Sequence, residues 1–362
     1  MATLFKWADD RFDLSVRWLR CVIRSWKPDV IHSLPLNVGG KLARLALESI
    51  PMEERPKWVA SAWGSDLYLG VDAPDERENI EYILLHCDAF FADCRRDRQL
   101  AVDAGLDKRK LALADAVPGV GGLDLDLFSR IRSSARDRDV IIVPKAFDRP
   151  LATRVMPILE ALRIADERLE GFEIHLLMCN EAAETWMRRM PESLRRKCRC
   201  HPMIPRPELL ELMGRARLVV SPSLSDGTPN VMLEAMAAGA LPVVSPIDSI
   251  QEWVEDGKNG LFARALYPNE IAEAVSRGIA DDELFRTAAE RNWEIVRRRA
   301  DRARIREKVL TFYAELIQGG PTAVGDSARE TEDTTARDGE FSKRSSSNHA
   351  SSDDSRASTV LV

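Results

Sequence analysis

Apolar and polar positions follow two different rhythms along the chain. Short runs rich in β-branched and aromatic residues alternate with longer stretches in which apolar residues recur every three to four positions. The short runs predict strands at 29–32, 57–62 and 89–92, and again at 139–143, 173–178, 218–220 and 241–244. The longer stretches predict helices over 40–48 and 79–86, and between the strands of the second half. Strands that are apolar almost continuously, separated by helices, imply parallel sheets covered on both faces. From Pro118-Gly119-Val120-Gly121-Gly122 to Asp137 the chain is Gly-rich, then charged, with no strong period. This predicts two Rossmann-like, doubly wound α/β domains, 1–135 and 136–295. Such a pair binds ligands at the carboxyl ends of the strands, in the cleft between the sheets.

The 362 residues suit two domains at about 150 residues each. A net charge of −6 argues against a chain wrapped on nucleic acid. No apolar run is long enough to span a bilayer, and Asp9 and Asp10 stand where a secretory leader is apolar. Six cysteines in this length suit free thiols in a reducing, cytoplasmic setting. Residues 319–362 hold nine serines, five threonines and one aromatic, Phe341, too little apolar surface to offset ordering, so a disordered tail is expected there.

The most informative stretch runs from Ser221 to Gly239. It leaves a buried strand, turns at Gly227 and enters a helix at Thr228-Pro229, read as a hydroxyl cap followed by proline at the first helical position. Gly239 stands where a helix C-terminal cap is expected. A helix N-terminus facing a cleft offers N–H groups and a positive dipole to a phosphate. Glu234, about one and a half turns into the helix, can accept two hydrogen bonds from a vicinal diol such as a ribose. On spacing alone, a plain strand–helix turn whose acid caps the helix is the favoured reading.

These residues resemble a known family. Ser223-Leu224-Ser225-Asp226-Gly227-Thr228-Pro229, Leu233-Glu234-Ala235-Met236-Ala237-Ala238-Gly239, Pro242-Val243-Val244 and Glu252-Trp253-Val254-Glu255-Asp256-Gly257-Lys258-Asn259-Gly260-Leu261 are similar to the signature of the retaining, nucleotide-sugar-dependent glycosyltransferases of family 4. The resemblance covers roughly 28–318 and implies the GT-B fold. It also implies transfer of a sugar from a UDP- or GDP-sugar to a glycan or lipid-linked acceptor, with no metal. By resemblance Glu234 binds the ribose, Asp226 contacts the transferred sugar or its phosphate, and Gly227, Thr228, Pro229 and Asn230 approach the sugar and diphosphate. Lys145 and Arg149, after the first strand of the second domain, stand where the family carries two cations for the leaving diphosphate, in swapped order and spaced by four. Ser61-Ala62-Trp63-Gly64-Ser65-Asp66 resembles the family's cleft loop, with Trp63, Gly64 and Asp66 on the acceptor side. A long helix over 296–318 is implied to cross back to the first domain.

Other features are set against this. Asp124-Leu125-Asp126 lies in a linker-like stretch rather than a metal motif, and Cys198, Cys200 and His201 lack the second ligand pair of a zinc site. Arg17, Arg20, Arg24 and Lys27 form one stripe over 12–27, with Trp18, Leu19, Val22, Ile23 and Trp26 opposite. That pattern suits an outer helix packed on the sheet or a contact with an anionic membrane face. Residues 1–27 contain no glycine, and the first strand-like run is 29–32. A shortened N-terminal sheet is therefore expected, with an edge covered by 12–27 or exposed, so that donor binding survives while acceptor transfer is impaired or needs a partner chain. The alternative is a degenerate glycosyltransferase-like subunit that binds a sugar nucleotide without transfer.

Overall fold

The computed structural model describes residues 14–119, 121–134, 138–149, 151–319 and 359–361. The N-terminal domain runs α1 (Leu14–Trp26), β1 (Val30–Ser33), α2 (Lys41–Leu47), β2 (Lys57–Ala62), α3 (Ser65–Tyr68), α4 (Pro74–His86), β3 (Ala89–Ala92) and α5 (Arg95–Asp103). The second domain follows as α6 (Leu125–Ser134), β4 (Val140–Val143), α7 (Val155–Ile164), β5 (Glu173–Leu177), α8 (Glu181–Met187), α9 (Glu192–Lys197), β6 (Cys198–His201), α10 (Arg206–Arg215), β7 (Ala216–Ser221), α11 (Asn230–Ala238), β8 (Leu241–Val244), α12 (Asp248–Gln251), β9 (Leu261–Phe262), α13 (Pro268–Ala280) and α14 (Asp282–Arg299). α15 (Arg302–Ile317) returns to the first domain, and β10 (Thr359–Leu361) closes the described chain. The strand order is β10-β1-β2-β3 in the first sheet and β6-β5-β4-β7-β8-β9 in the second, with every pair parallel.

The apolar runs explain the layers. Ile31, Trp58 and Phe90 point to one face, where Leu19, Ile23, Ile80 and Ile83 cover them. Val30, Val59 and Phe91 point to the other, where Phe312 and Leu316 of α15 complete a small core. In the second sheet Ile141, Leu176 and Val220 pack under α7 and α13, while Ile142, Val219 and Val244 pack under α11. Both faces are thus buried, as near-continuous apolar strands require.

Several expectations change. The return helix begins at 302, because Asp301 breaks the path after α14 and caps α15 by accepting from the Ala303 N–H at 2.9 Å. In α1, Val16, Leu19 and Ile23 are buried, but Trp18 and Trp26 are 64% and 53% exposed, so the two tryptophans lie on the outer surface rather than on the core face. Residues 12 and 13 lie outside the described residues. The N-terminal sheet has four strands against six. The free edge of β1 is neither exposed nor covered by α1: β10 pairs along it, Val30 opposite Thr359 and His32 opposite Leu361. Of the tail expected to be disordered, 320–358 and 362 lie outside the described residues, while 359–361 form this strand.

Candidate functional site

β7 is buried along its whole length and delivers the loop 221–229 to the carboxyl edge of the second sheet. The helix then begins at Asn230, one residue later than expected. Pro229, at φ −66°, is its cap residue, and Thr228 caps nothing. The Thr228 N–H donates to Asp93 Oδ2 at 3.1 Å and its hydroxyl to the Asp93 carbonyl at 2.5 Å, both across the domain boundary. Gly239 ends the helix in the left-handed region at φ 83°, as a C-terminal cap requires.

Gly227 is needed for close approach rather than for a turn. A Cβ there would lie 2.3 Å from Asp93 Oδ2. Gly64 faces the same joint, at φ 85°, where a Cβ would lie 2.2 Å from the Gly227 nitrogen. The two glycines let the backbones of the two domains touch. Ser65 and Ser225 hydroxyls meet beside them at 3.0 Å. Glu252 fastens the joint further, its carboxylate accepting the N–H groups of Arg95 and Arg96 at the start of α5, each at 3.0 Å. A carboxylate at a helix N-terminus is favoured there by the free N–H groups and the dipole.

A cavity of about 760 Å³ opens between the domains. Trp63, Lys145, Arg149, Thr228, Pro229, Asn230, Asp226 and Glu234 all line it, so most residues singled out from the sequence meet at one place. Lys145 Nζ is 2.5 Å from Asp226 Oδ2, while Asp226 Oδ1 accepts the Gly227 N–H at 3.1 Å. Glu234 is buried, and its Oε1 is 2.6 Å from Arg206 Nη2. Arg149 stands on the exposed loop after β4 and reaches the same wall. Trp63 is half exposed at the opposite wall.

Gly64 and Asp66 do not line this cavity. Asp66 braces the N-terminal loop, accepting the Trp63 and Leu36 N–H groups at 2.8 Å each, and borders a neighbouring cavity of about 430 Å³. Burial pushes its carboxyl above the ordinary range.

Sequence reasoning missed Asp93, Arg206, Met178 and Met203, which also line the main cavity. Arg206 and Met203 follow β6, a strand too polar to be recognised. Met178 sits just after β5 at φ 55°. Cys198, Cys200 and His201 belong to β6, where alternation turns the cysteines to one face and His201 to the other, against His175 (His175 Nδ1 to His201 Nε2 3.0 Å). Three ligands on opposite faces of a strand do not converge on one ion.

Residues 140–281 match the sequence family described as glycosyl transferases group 1. Over 227 residues the chain is 25% identical to D-inositol 3-phosphate glycosyltransferase of Corynebacterium urealyticum, covering 57% of this chain and 50% of that protein. Over 120 residues it is 30% identical to alpha-maltose-1-phosphate synthase of Mycolicibacterium smegmatis, covering 32% of this chain and 31% of that one. The chain thus spans half or less of these curated relatives. Among solved structures, Anabaena Alr3699/HepE in complex with UDP and glucose superposes with a TM-score of 0.63 at 16% identity, over 85% of this chain and 82% of that one. Sucrose-phosphate synthase of Thermosynechococcus elongatus gives 0.66 at 17% identity, over 84% and 78%. The fold is GT-B. Among the described residues no helix is long and apolar enough to cross a membrane.

Proposed function

We propose that this chain is a glycosyltransferase that takes a sugar from a nucleoside-diphosphate sugar and transfers it, with retention, to a hydroxyl of a glycan or lipid-linked acceptor. One observation carries this: the wall of the interdomain cavity holds Lys145, Arg149, Asp226 and Glu234 together with the first residues of α11. The family match over 140–281 and the UDP- and glucose-bound neighbour of similar fold support it.

The chemistry follows from charge. Breaking the bond between sugar and diphosphate leaves negative charge on the departing phosphate. Lys145 and Arg149 meet that charge as it grows, which is where fixed cations accelerate a reaction most. The N-terminus of α11 adds its free N–H groups and dipole. Glu234 holds the ribose diol, with Arg206 orienting its Oε1 through the ion pair. Asp226, tied to Lys145, sets the cation's position and faces the sugar. With retention, the departing phosphate oxygen takes the acceptor's proton on the same face, so no side-chain base is required. Trp63 forms the acceptor-side wall.

The test is a donor panel. Purified chain is incubated with UDP-glucose, UDP-N-acetylglucosamine and GDP-mannose, and both thermal stabilisation and released nucleoside diphosphate are measured. One donor is expected to raise the melting temperature and to be turned over. Stabilisation without any release, with or without glycan acceptors, would make the chain a binding subunit; neither signal would overturn the reading.

A further inference from the structure

A second cavity, of about 500 Å³, lies beside the two crossings between the domains and shares no residue with the cavity that holds Lys145 and Glu234. Both domains supply its walls: Arg95 at the start of α5, the stretch Leu113 to Val117, Glu252 and Trp253 after α12, the end of α14 and the first turns of α15. The crossings are fastened to each other at Ala300, between the lining residues Arg299 and Asp301. The Leu123 N–H donates to the Ala300 carbonyl at 2.7 Å, and the Arg302 N–H to the Leu123 carbonyl at 3.0 Å.

Five cations line this cavity, Arg95, Arg298, Arg299, Arg304 and Lys308, against three acids, Asp115, Glu252 and Asp301. Positive charge thus gathers here on a chain whose net charge is −6. Two of the acids are already committed. The Glu252 carboxylate accepts the Arg95 and Arg96 N–H groups. Asp301 Oδ1 accepts the Ala303 N–H, and its Oδ2 is 3.6 Å from Arg304 Nε. Asp115 counters Arg98 and Arg299. The Arg95 guanidinium and the Lys308 ammonium are exposed and have no hydrogen bond or ion pair among the described residues. Burial, and the charge of Arg95 beside them, push the Arg98 and Arg299 guanidinium groups below the ordinary range. Cations drawn together beyond their acids suit an anion.

The floor narrows the kind of anion. Leu113, Val117 and Ile305 are apolar. Trp253 carries the Arg299 guanidinium, whose carbon lies 3.9 Å from the ring centroid, and Arg299 Nη1 also donates to the Glu252 carbonyl. A bare phosphate ion would leave most of this space and all of its apolar floor unused. A ring or short chain with two phosphoryl groups uses both, since planar guanidinium groups match phosphoryl oxygens two at a time.

We propose that this cavity is a second ligand site, for a small organic molecule bearing two phosphoryl groups, clamped between Arg95 of the first domain and Arg299, Arg304 and Lys308 at the return crossing. The site goes beyond the transfer reaction and does not depend on it. A ligand held there ties both crossings together and stabilises the folded chain.

The experiment is calorimetric titration of the full chain with fructose 1,6-bisphosphate, with sulfate and glucose as controls, repeated on Arg95→Ala, Lys308→Ala, the double variant and Lys145→Ala. The bisphosphate is expected to bind the native chain and raise its melting temperature, sulfate to bind more weakly and glucose not at all. Arg95→Ala and Lys308→Ala are each expected to weaken the bisphosphate about tenfold and the double variant further, while Lys145→Ala leaves it unchanged. Both replaced side chains are exposed, and melting temperatures without ligand check that the variants are folded. No binding to the native chain at millimolar concentration would overturn the proposal. So would weakening in Lys145→Ala alone, which would place the anion in the other cavity. Sulfate binding as tightly as the bisphosphate would show a bare-ion site and overturn it too. A donor panel without turnover would leave these outcomes unchanged, because the two cavities share no residue.

Discussion

Lys145 and Asp226 are 81 positions apart in sequence and 2.5 Å apart in space, lysine Nζ to carboxylate Oδ2. The pair ties the end of β4 to the loop after β7, the two central strands of the second sheet. Both side chains are partly exposed to the cavity, so the contact itself adds little stability. Its consequence is positional: a flexible lysine is held where a departing diphosphate would need it.

Lys145→Ala should therefore lower release of nucleoside diphosphate by about a hundredfold while the melting temperature hardly moves. Binding of the bare nucleoside should stay as it was. Equal losses for uridine and UDP would contradict a role that follows the diphosphate charge.

Glu234 and Arg206 should behave as a coupled pair. Glu234→Ala removes a buried carboxylate that accepts hydrogen bonds, and donor affinity should fall about 10- to 150-fold, with Glu234→Gln falling less. Arg206→Ala should weaken the donor less than Glu234→Ala, and the double variant should lose less than the sum of both. Strict additivity, measured by titration of the same donor, would show that the 2.6 Å ion pair does not orient Glu234.

A pH dependence follows from His32 on β1. Burial pushes its imidazole down to about 4. Tyr313 Oη is 2.5 Å from Nδ1 and Ser61 Oγ 2.6 Å from Nε2, so the neutral ring links β1, β2 and the return helix α15. The unfolded chain takes up a proton near 6.5 and the folded chain does not. Stability from this group is thus complete above pH 6.5 and is lost as pH falls toward 4, about 3 kcal/mol in all. His32→Asn should flatten the fall in melting temperature between pH 7 and pH 4. An unchanged slope would assign the loss to other groups.

Truncation after 319 gives another test. β10 covers the outer edge of β1, whose Val30 and Ile31 are fully buried. Without it that edge presents unpaired backbone groups, and such edges recruit other strands. The truncated chain should melt several degrees lower and self-associate in sedimentation. An unchanged melting temperature and a monodisperse species would show that β10 contributes nothing.

The pattern of the sequence carried far where packing is simple. Strands such as Val140–Val143 are buried on both faces, so their composition announces them. Cys198–His201 was missed because an edge strand with Arg199 exposed has no apolar run to reveal it. Missing β6 meant missing Arg206, which follows it. Thr228 looked like a helix cap because Thr-Pro is a strong local signal. The contact that overrides it, Asp93, lies 135 positions away and on the other domain. Local rules cannot see such a partner. Gly227 was foreseen as a special position, but for the wrong reason: what it avoids is a carboxylate, not a strained φ.

The most direct measurement is proton NMR of UDP-glucose incubated with the purified chain, following the anomeric signals of the first glucose or glucoside formed. The expected result is release of UDP with the α-anomer appearing first, and loss of both signals in Lys145→Ala. A β-anomer appearing first would contradict retention. An untouched donor, with every sugar nucleotide of the panel tried, would contradict the central claim that this cavity transfers sugars.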